Sequence, residues 1–354
     1  MFKVFISATS LEKLCVDEMA KDEKDQSEWF LILSKQKAIY VDKDIYADIE
    51  ADDPLFIFSE SYQISFKEAD FDFNDSKNQE AILNHSDSAF LLDLDEVTVS
   101  NLQQKLGVIC QSTNDLRDCV LATPSTTLSL ITGEKKHSWK ELFQSVSRVP
   151  SNSLVIIDRY VFGFQKPNHG YLEGIENIKS IIQNVLPKDL NAPYHILLIV
   201  DETDSPDRHY SRAKVIKKLT DFINYTIKPS YSVTIELLSV NRESEHYAAT
   251  HNRKILSNYF SVSAENLIKA FDRYGNGICD QDLTIEYLYS NSLNNRSDSA
   301  VRKTDRLLSR LSDMYKDAVV LSARESAVVN PYQYECFNDT TKSITDLCNR
   351  LVNR

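Results

Sequence analysis

Apolar and polar positions follow two rhythms along this chain. In the first third the apolar runs are short. Phe2–Ser7 predicts a strand, Leu11–Lys21 a helix running into a charged stretch, and Leu55–Ser59 and Ser88–Leu94 two short buried strands. Glu96–Leu106 predicts a helix and Gly107–Cys110 a following strand. Turn-rich Ala122–Thr127 and Thr132–Lys136 mark a boundary, after which Trp139–Val146 predicts a helix and Pro150–Ser153 a turn. The runs then lengthen. Leu154–Ile157, His195–Val200 and Val233–Val240 predict buried strands, separated by helices at Gly174–Val185 and Tyr210–Ile227. Lys254–Val262 and Leu283–Tyr289 predict further strands, and Ser299–Lys316 a long helix.

Continuous apolar strands joined by helices of this length predict an α/β fold in two domains. The C-terminal one has a mostly parallel or mixed sheet with helices on both faces. The expected division is an α/β domain over 1–123, a linker and connecting helix over 124–150, a second domain over 151–320, and a tail over 321–354 with a short helix at Thr341–Val352. A chain of 354 residues is long for one core, which agrees with two.

Charge separates the two parts. Residues 1–123 hold 11 Lys and Arg against 25 Asp and Glu, whereas residues 124–354 hold 29 against 27. The acidic part repels phosphate, so nucleic acid is expected to meet the C-terminal domain and a protein partner the acidic one. No apolar run approaches the roughly 18–20 residues that span a bilayer. No membrane partner is expected, and the expected location is cytoplasmic. The six cysteines form no CxxC pair and no zinc spacing, and read as isolated thiols. Seven glycines supply neither a P-loop nor a GxGxxG pattern.

Ligands of α/β sheets gather beyond the carboxyl ends of the strands. Asp158 and Arg159 follow the first long strand directly, and Asp201, Glu202 and Asp204 follow the second. Asp158, Asp201 and Glu202 could hold a divalent metal, or could cap the helices that follow. In the first domain, a PIN-type nuclease would place Asp at the end of the first strand, where Ser7 and Ala8 stand. Asp93 and Asp95 follow a later strand and read as solvated loop residues. The basic residues Arg302, Lys303, Arg306 and Arg310 recur on one side of the last long helix, interrupted by Asp298, Asp305 and Asp313. This pattern predicts a salt-bridged solvated face.

The most informative stretch is His251-Asn-Arg253-Lys254-Ile-Leu-Ser-Asn258. It resembles the signature of the phospholipase D superfamily, His-x-Lys followed after four residues by Asp. The resemblance covers about half the chain, roughly 145 to 320. It implies a phosphodiester-directed site in which one imidazole attacks phosphorus, a second protonates the leaving oxygen, and a cation neutralises the phosphate. His251 would be nucleophile or acid, Arg253 the phosphate clamp, and Asn258 would stand where the family's Asp orients an imidazole. Asp158, Arg159 and Lys254 would contact the substrate. No cofactor is implied. The chain holds one copy of the motif, so catalysis implies a homodimer. Domains with a single motif resemble those of nucleases and of bacterial antiviral defence proteins. Two other readings stay open: a protein-interaction module that keeps the fold without the chemistry, and a metal-dependent hydrolase using Asp158, Asp201 and Glu202. His246 could be accessory to His251. Arg253 could instead pair with a carboxylate such as Asp201.

Overall fold

The computed structural model describes residues 2–42, 50–69, 71–116, 119–122, 125–162, 170–201, 212–241, 244, 247–288, 297–322, 334–338 and 348–352. They fall into two compact units, Met1–Pro124 with Tyr289–Ser299, and Ser125–Leu288 with Ala300–Arg354. No helix among the described residues is long and apolar enough to cross a membrane.

Unit 1 alternates strands and helices: β1 (Val4–Ile6), α1 (Ala8–Glu18), α2 (Glu28–Leu33), β2 (Ala38–Val41), α3 (Pro54–Tyr62), β3 (Ser65–Glu68), α4 (Gln79–Leu83), β4 (Ala89–Leu92), α5 (Glu96–Leu106) and β5 (Ile109–Ser112). Its sheet is wholly parallel, in the order β3-β2-β1-β4-β5. Local signals set the helix starts. Ser7, Asp53 and Asp95 each accept a first-turn N–H through the side chain. The strand expected at Leu55–Ser59 is instead part of α3. Asp53 caps it, Pro54 opens it, and the buried Leu55, Phe58 and Ser59 recur at helical spacing. A five-residue apolar run alone cannot distinguish the two.

Unit 2 holds β6 (Thr126–Leu130), α6 (Trp139–Gln144), β7 (Ser153–Ile157), α7 (Gly170–Val185), β8 (Tyr194–Asp201), α8 (Arg212–Phe222), β9 (Val233–Val240), β10 (Lys254–Ser257), β11 (Phe260–Ala264), β12 (Gln281–Tyr287), α9 (Ser297–Lys316), β13 (Val319–Ser322) and β14 (Tyr334–Asn338). Nine strands form one mixed sheet, in the order β13-β14-β9-β8-β7-β10-β11-β12-β6. The parallel centre β7-β8-β9 is flanked by the antiparallel meander β10-β11-β12-β6 on one side and by antiparallel β14 on the other. Residues 124–150 hold the expected connecting helix as α6 and, beyond the linker role expected for the rest, supply the edge strand β6. The single strand expected over Lys254–Val262 is a hairpin that turns at Asn258–Tyr259. The tail supplies β14, and Cys348–Val352 forms a buried turn; residues 341–347 of the expected helix lie outside the described residues.

Strand parity sorts the faces. Val155, Ile157, Leu197, Ile199, Leu238 and Leu256 join Leu307, Leu308, Leu311 and Met314 of α9 and Leu351 and Val352 in one core. The alternate residues Leu154, Ile156, Ile196 and Leu198 are equally buried, toward α7 and α8. Because β10 runs antiparallel to β7, with Lys254 opposite Ile157, the segment leading into β10 arrives at the carboxyl ends of the parallel strands.

Candidate functional site

The site forms where β7, β8 and β9 end. β7 is buried on both faces and stops at Asp158, which is 1% exposed. One Asp158 carboxylate oxygen accepts the N–H of Tyr160 (2.9 Å), and the other accepts the N–H of Ile268 (2.8 Å), from the loop after β11. Asp158 thus fixes the turn that follows its own strand and holds a second segment against it. Burial raises its pKa; these two hydrogen bonds, then the charges of Arg253 and Lys269, act the other way.

The turn directs Arg159 sideways. Only 5% exposed, Arg159 lies over the Tyr247 ring with its guanidinium carbon 3.7 Å from the centroid. It donates through Nε and Nη2 to Thr250 Oγ1 (3.3 and 3.2 Å) and through Nη2 to the Tyr247 carbonyl (3.2 Å). Tyr247 donates its hydroxyl to Asp201, the last residue of β8. Tyr247–His251 is one short 3-10 turn, so these contacts fix the segment that presents His251.

His251 is exposed, and its ring meets Tyr247 edge-on at 6.1 Å. It makes no hydrogen bond through its ring among the described residues. Its pKa is lowered, first by desolvation and then by the Arg159 and Arg253 guanidiniums, while Asp201 pulls the other way. A neutral imidazole keeps a free ring lone pair near pH 7. Arg253 is half-buried. Its Nη1 donates to the Glu265 carbonyl at 3.4 Å, and its Nε is buried without a hydrogen-bond partner. Among the described residues, the cations Arg159, Arg253 and the buried Lys269 stand with the carboxylates Asp158 and Asp201.

The structure thus brings Asp158, Arg159, Asp201, His251 and Arg253 together. Lys254 also stands at this edge, but its side chain shares the face of Leu256 and turns toward α9. There burial lowers its pKa, Glu286 opposes that shift and Lys303 adds to it. Asn258 does not join them. It lies at the far end of β10, roughly 13 Å of extended chain away. There its buried side chain accepts the N–H groups of Asn152 and Ser153 (3.0 and 3.2 Å) and donates to Asn152 Oδ1 (3.0 Å). The role of orienting an imidazole is therefore corrected: Asn258 ties the hairpin turn to the start of β7. Arg253 has Asp158, not Asp201, as its nearby carboxylate. Glu202, Asp204 and His246 lie outside the described residues.

A metal does not suit the described part of this site. Both Asp158 oxygens already accept backbone N–H groups. Among the described residues, no three His, Cys, Asp or Glu side chains gather as a metal would require. In unit 1, Asp93 accepts the hydroxyls of Ser10 and Thr113 (both 2.6 Å), and Asp95 caps α5. A groove of about 670 Å³ in that unit is lined by Asp42, Glu68 and Asp72 with Phe71 and Phe73. Its carboxylates repel anions.

Tyr247, Thr250 and Lys269 were not singled out in the sequence. Tyr247 and Thr250 sit four and one residues before His251, a helical-turn spacing that could have drawn attention. Lys269 arrives through a long-range loop and leaves no local signal. No protein-family model matches the chain, and no curated protein matches it in sequence, so the site's own geometry carries the functional argument.

Proposed function

We propose that unit 2 receives the phosphate of a phosphodiester, within a nucleic-acid strand, between His251 and Arg253. The observation that carries this reading is the underused Arg253 guanidinium. It stands beside an exposed imidazole and makes, among the described residues, one weak hydrogen bond, from Nη1 to the Glu265 carbonyl. A phosphate oxygen pair supplies the acceptors that a guanidinium fork fits. Buried Arg159 adds fixed positive charge without being free to leave. The resemblance of His251-x-Arg253 to the phospholipase D signature points the same way.

Hydrolysis makes a further demand. His251 would attack phosphorus as the ester P–O bond breaks, the leaving oxygen would take a proton from a second imidazole, and water would then cleave the P–N bond. One chain carries one such motif, so the second imidazole would come from a second copy. A single copy binds without turning over.

The test is direct. Binding of a fluorescent oligonucleotide should weaken at least tenfold in Arg253→Gln, since a charge-assisted hydrogen bond contributes roughly 1.5–3 kcal/mol. Unchanged binding in Arg253→Gln would falsify the reading. Incubation with plasmid and RNA, with and without EDTA, separates the chemistries. Cleavage that survives EDTA and vanishes in His251→Ala marks the phosphohistidine route.

A further inference from the structure

We infer that the exposed stripe Lys303, Arg306 and Arg310 of α9 carries the phosphate backbone of a nucleic-acid strand away from the His251 edge of the sheet. The inference rests on the phosphodiester reading above and extends it from one phosphate to a track.

Three observations carry it. First, position: Leu307, one turn beyond Lys303, packs in the core formed with Ile157, Val240 and Leu256. Tyr315, near the other end of α9, meets Glu236 in the middle of β9, and Lys303 stands roughly 18 Å of helix away from it. Lys254, the residue after Arg253, is close enough to Lys303 for the two charges to repel. The stripe therefore begins where the motif ends. Second, alignment: positions 303, 306 and 310 fall on one helical face, and all three side chains are exposed. From Lys303 to Arg310 the helix rises roughly 10 Å. A nucleic-acid strand presents a phosphate about every 3.4 Å of axis, so the stripe spans about three. Third, the charges are unspent. The sequence pattern predicted a salt-bridged face, yet none of the three forms an ion pair with a described residue. Asp313 and Asp317 are exposed one to two turns further on and end the positive run.

The same charges could meet an anionic lipid surface, but the geometry favours a strand. From Lys303 onward the exposed residues of α9 are all polar, and none offers an apolar side chain to insert between acyl chains. A stripe one residue wide suits a linear polyanion.

The experiment pairs two probes with two variants. A dinucleotide carries one phosphodiester and reaches only the His251 edge; a twelve-nucleotide single strand reaches the edge and the helix. In Lys303→Gln/Arg306→Gln/Arg310→Gln, whose changes are all on the surface, twelve-nucleotide binding should fall at least tenfold. Its dependence of log K on log salt should flatten by about 2, while dinucleotide binding holds. In Arg253→Gln both probes should weaken. If the triple variant binds the longer strand with unchanged affinity and salt slope, the track is overturned while the site stands. If Arg253→Gln leaves both probes unaffected, the site reading itself falls. Should the triple variant lose only its binding to phosphatidylserine vesicles, the stripe is a lipid surface and the inference is wrong.

Discussion

Arg159 is held by several groups at once. It touches the Tyr247 ring, the Tyr247 carbonyl and the Thr250 hydroxyl. Replacing it by Ala removes these contacts and frees the turn that presents His251. We expect Arg159→Ala to lose roughly 2–4 kcal/mol in urea unfolding, and oligonucleotide binding with it. Arg159→Lys should recover part of the stability, because the point charge persists while the fork does not. A second residue sets acid sensitivity. His195, near the start of β8, has a buried Nδ1 without a partner, and burial, aided by Arg350, pulls its pKa down to about 3. In the unfolded chain the ring titrates near 6.5, so the unfolded state takes up the proton first. The stabilisation is complete above pH 6.5 and is lost as pH falls from there toward 3, with a slope of up to about 1.4 kcal/mol per pH unit. His195→Gln should show an acid limb flatter by close to one proton in urea titrations between pH 4 and 7.

At the scale of elements, α9 and the C-terminal turn lock each other. The Tyr315 hydroxyl donates to Glu236 on β9 and accepts the N–H of Asn349, and Asn349 Nδ2 donates to the Leu154 carbonyl (3.1 Å). Tyr315→Phe deletes one oxygen and takes a buried hydrogen-bond partner from the Asn349 N–H and from a Glu236 oxygen. It should lower stability by roughly 2–3 kcal/mol and raise amide exchange across residues 348–352 first. Elements of this kind explain what the sequence made legible. Val233–Val240 and Glu96–Leu106 are set by their own apolar spacing and emerge with the expected bounds. The hairpin at Asn258–Tyr259 was not legible, because alternating apolar residues continue through the turn and no glycine or proline marks it. Strand-end logic pointed to Asp158, Arg159 and Asp201 and the motif to His251 and Arg253, and the fold brings these five to one end of the sheet. Motif spacing misplaced Asn258, since distance along a strand does not say which end of the sheet a residue reaches. β14 joins the sheet through pairing with β9, a contact remote in sequence that no local pattern encodes.

For the whole molecule, the single motif and the division of charge matter most. On the phosphodiester reading, pairing two copies of the motif requires two chains. EDTA-resistant activity, where present, should therefore rise with more than the first power of protein concentration and vanish on dilution below the dimer constant. A monomer by sedimentation that still cleaves would rule this out. The order of the larger sheet also bears on how the protein is made. β14 lies between β13 and β9, so β9 gains its second neighbour only after residues 334–338 have left the ribosome. Until then the nascent chain carries the apolar strand Val233–Val240 with one edge open, a template for pairing with other copies. Synthesis that stops near residue 322 should yield aggregates in a solubility assay, with His251 and its arginines all present.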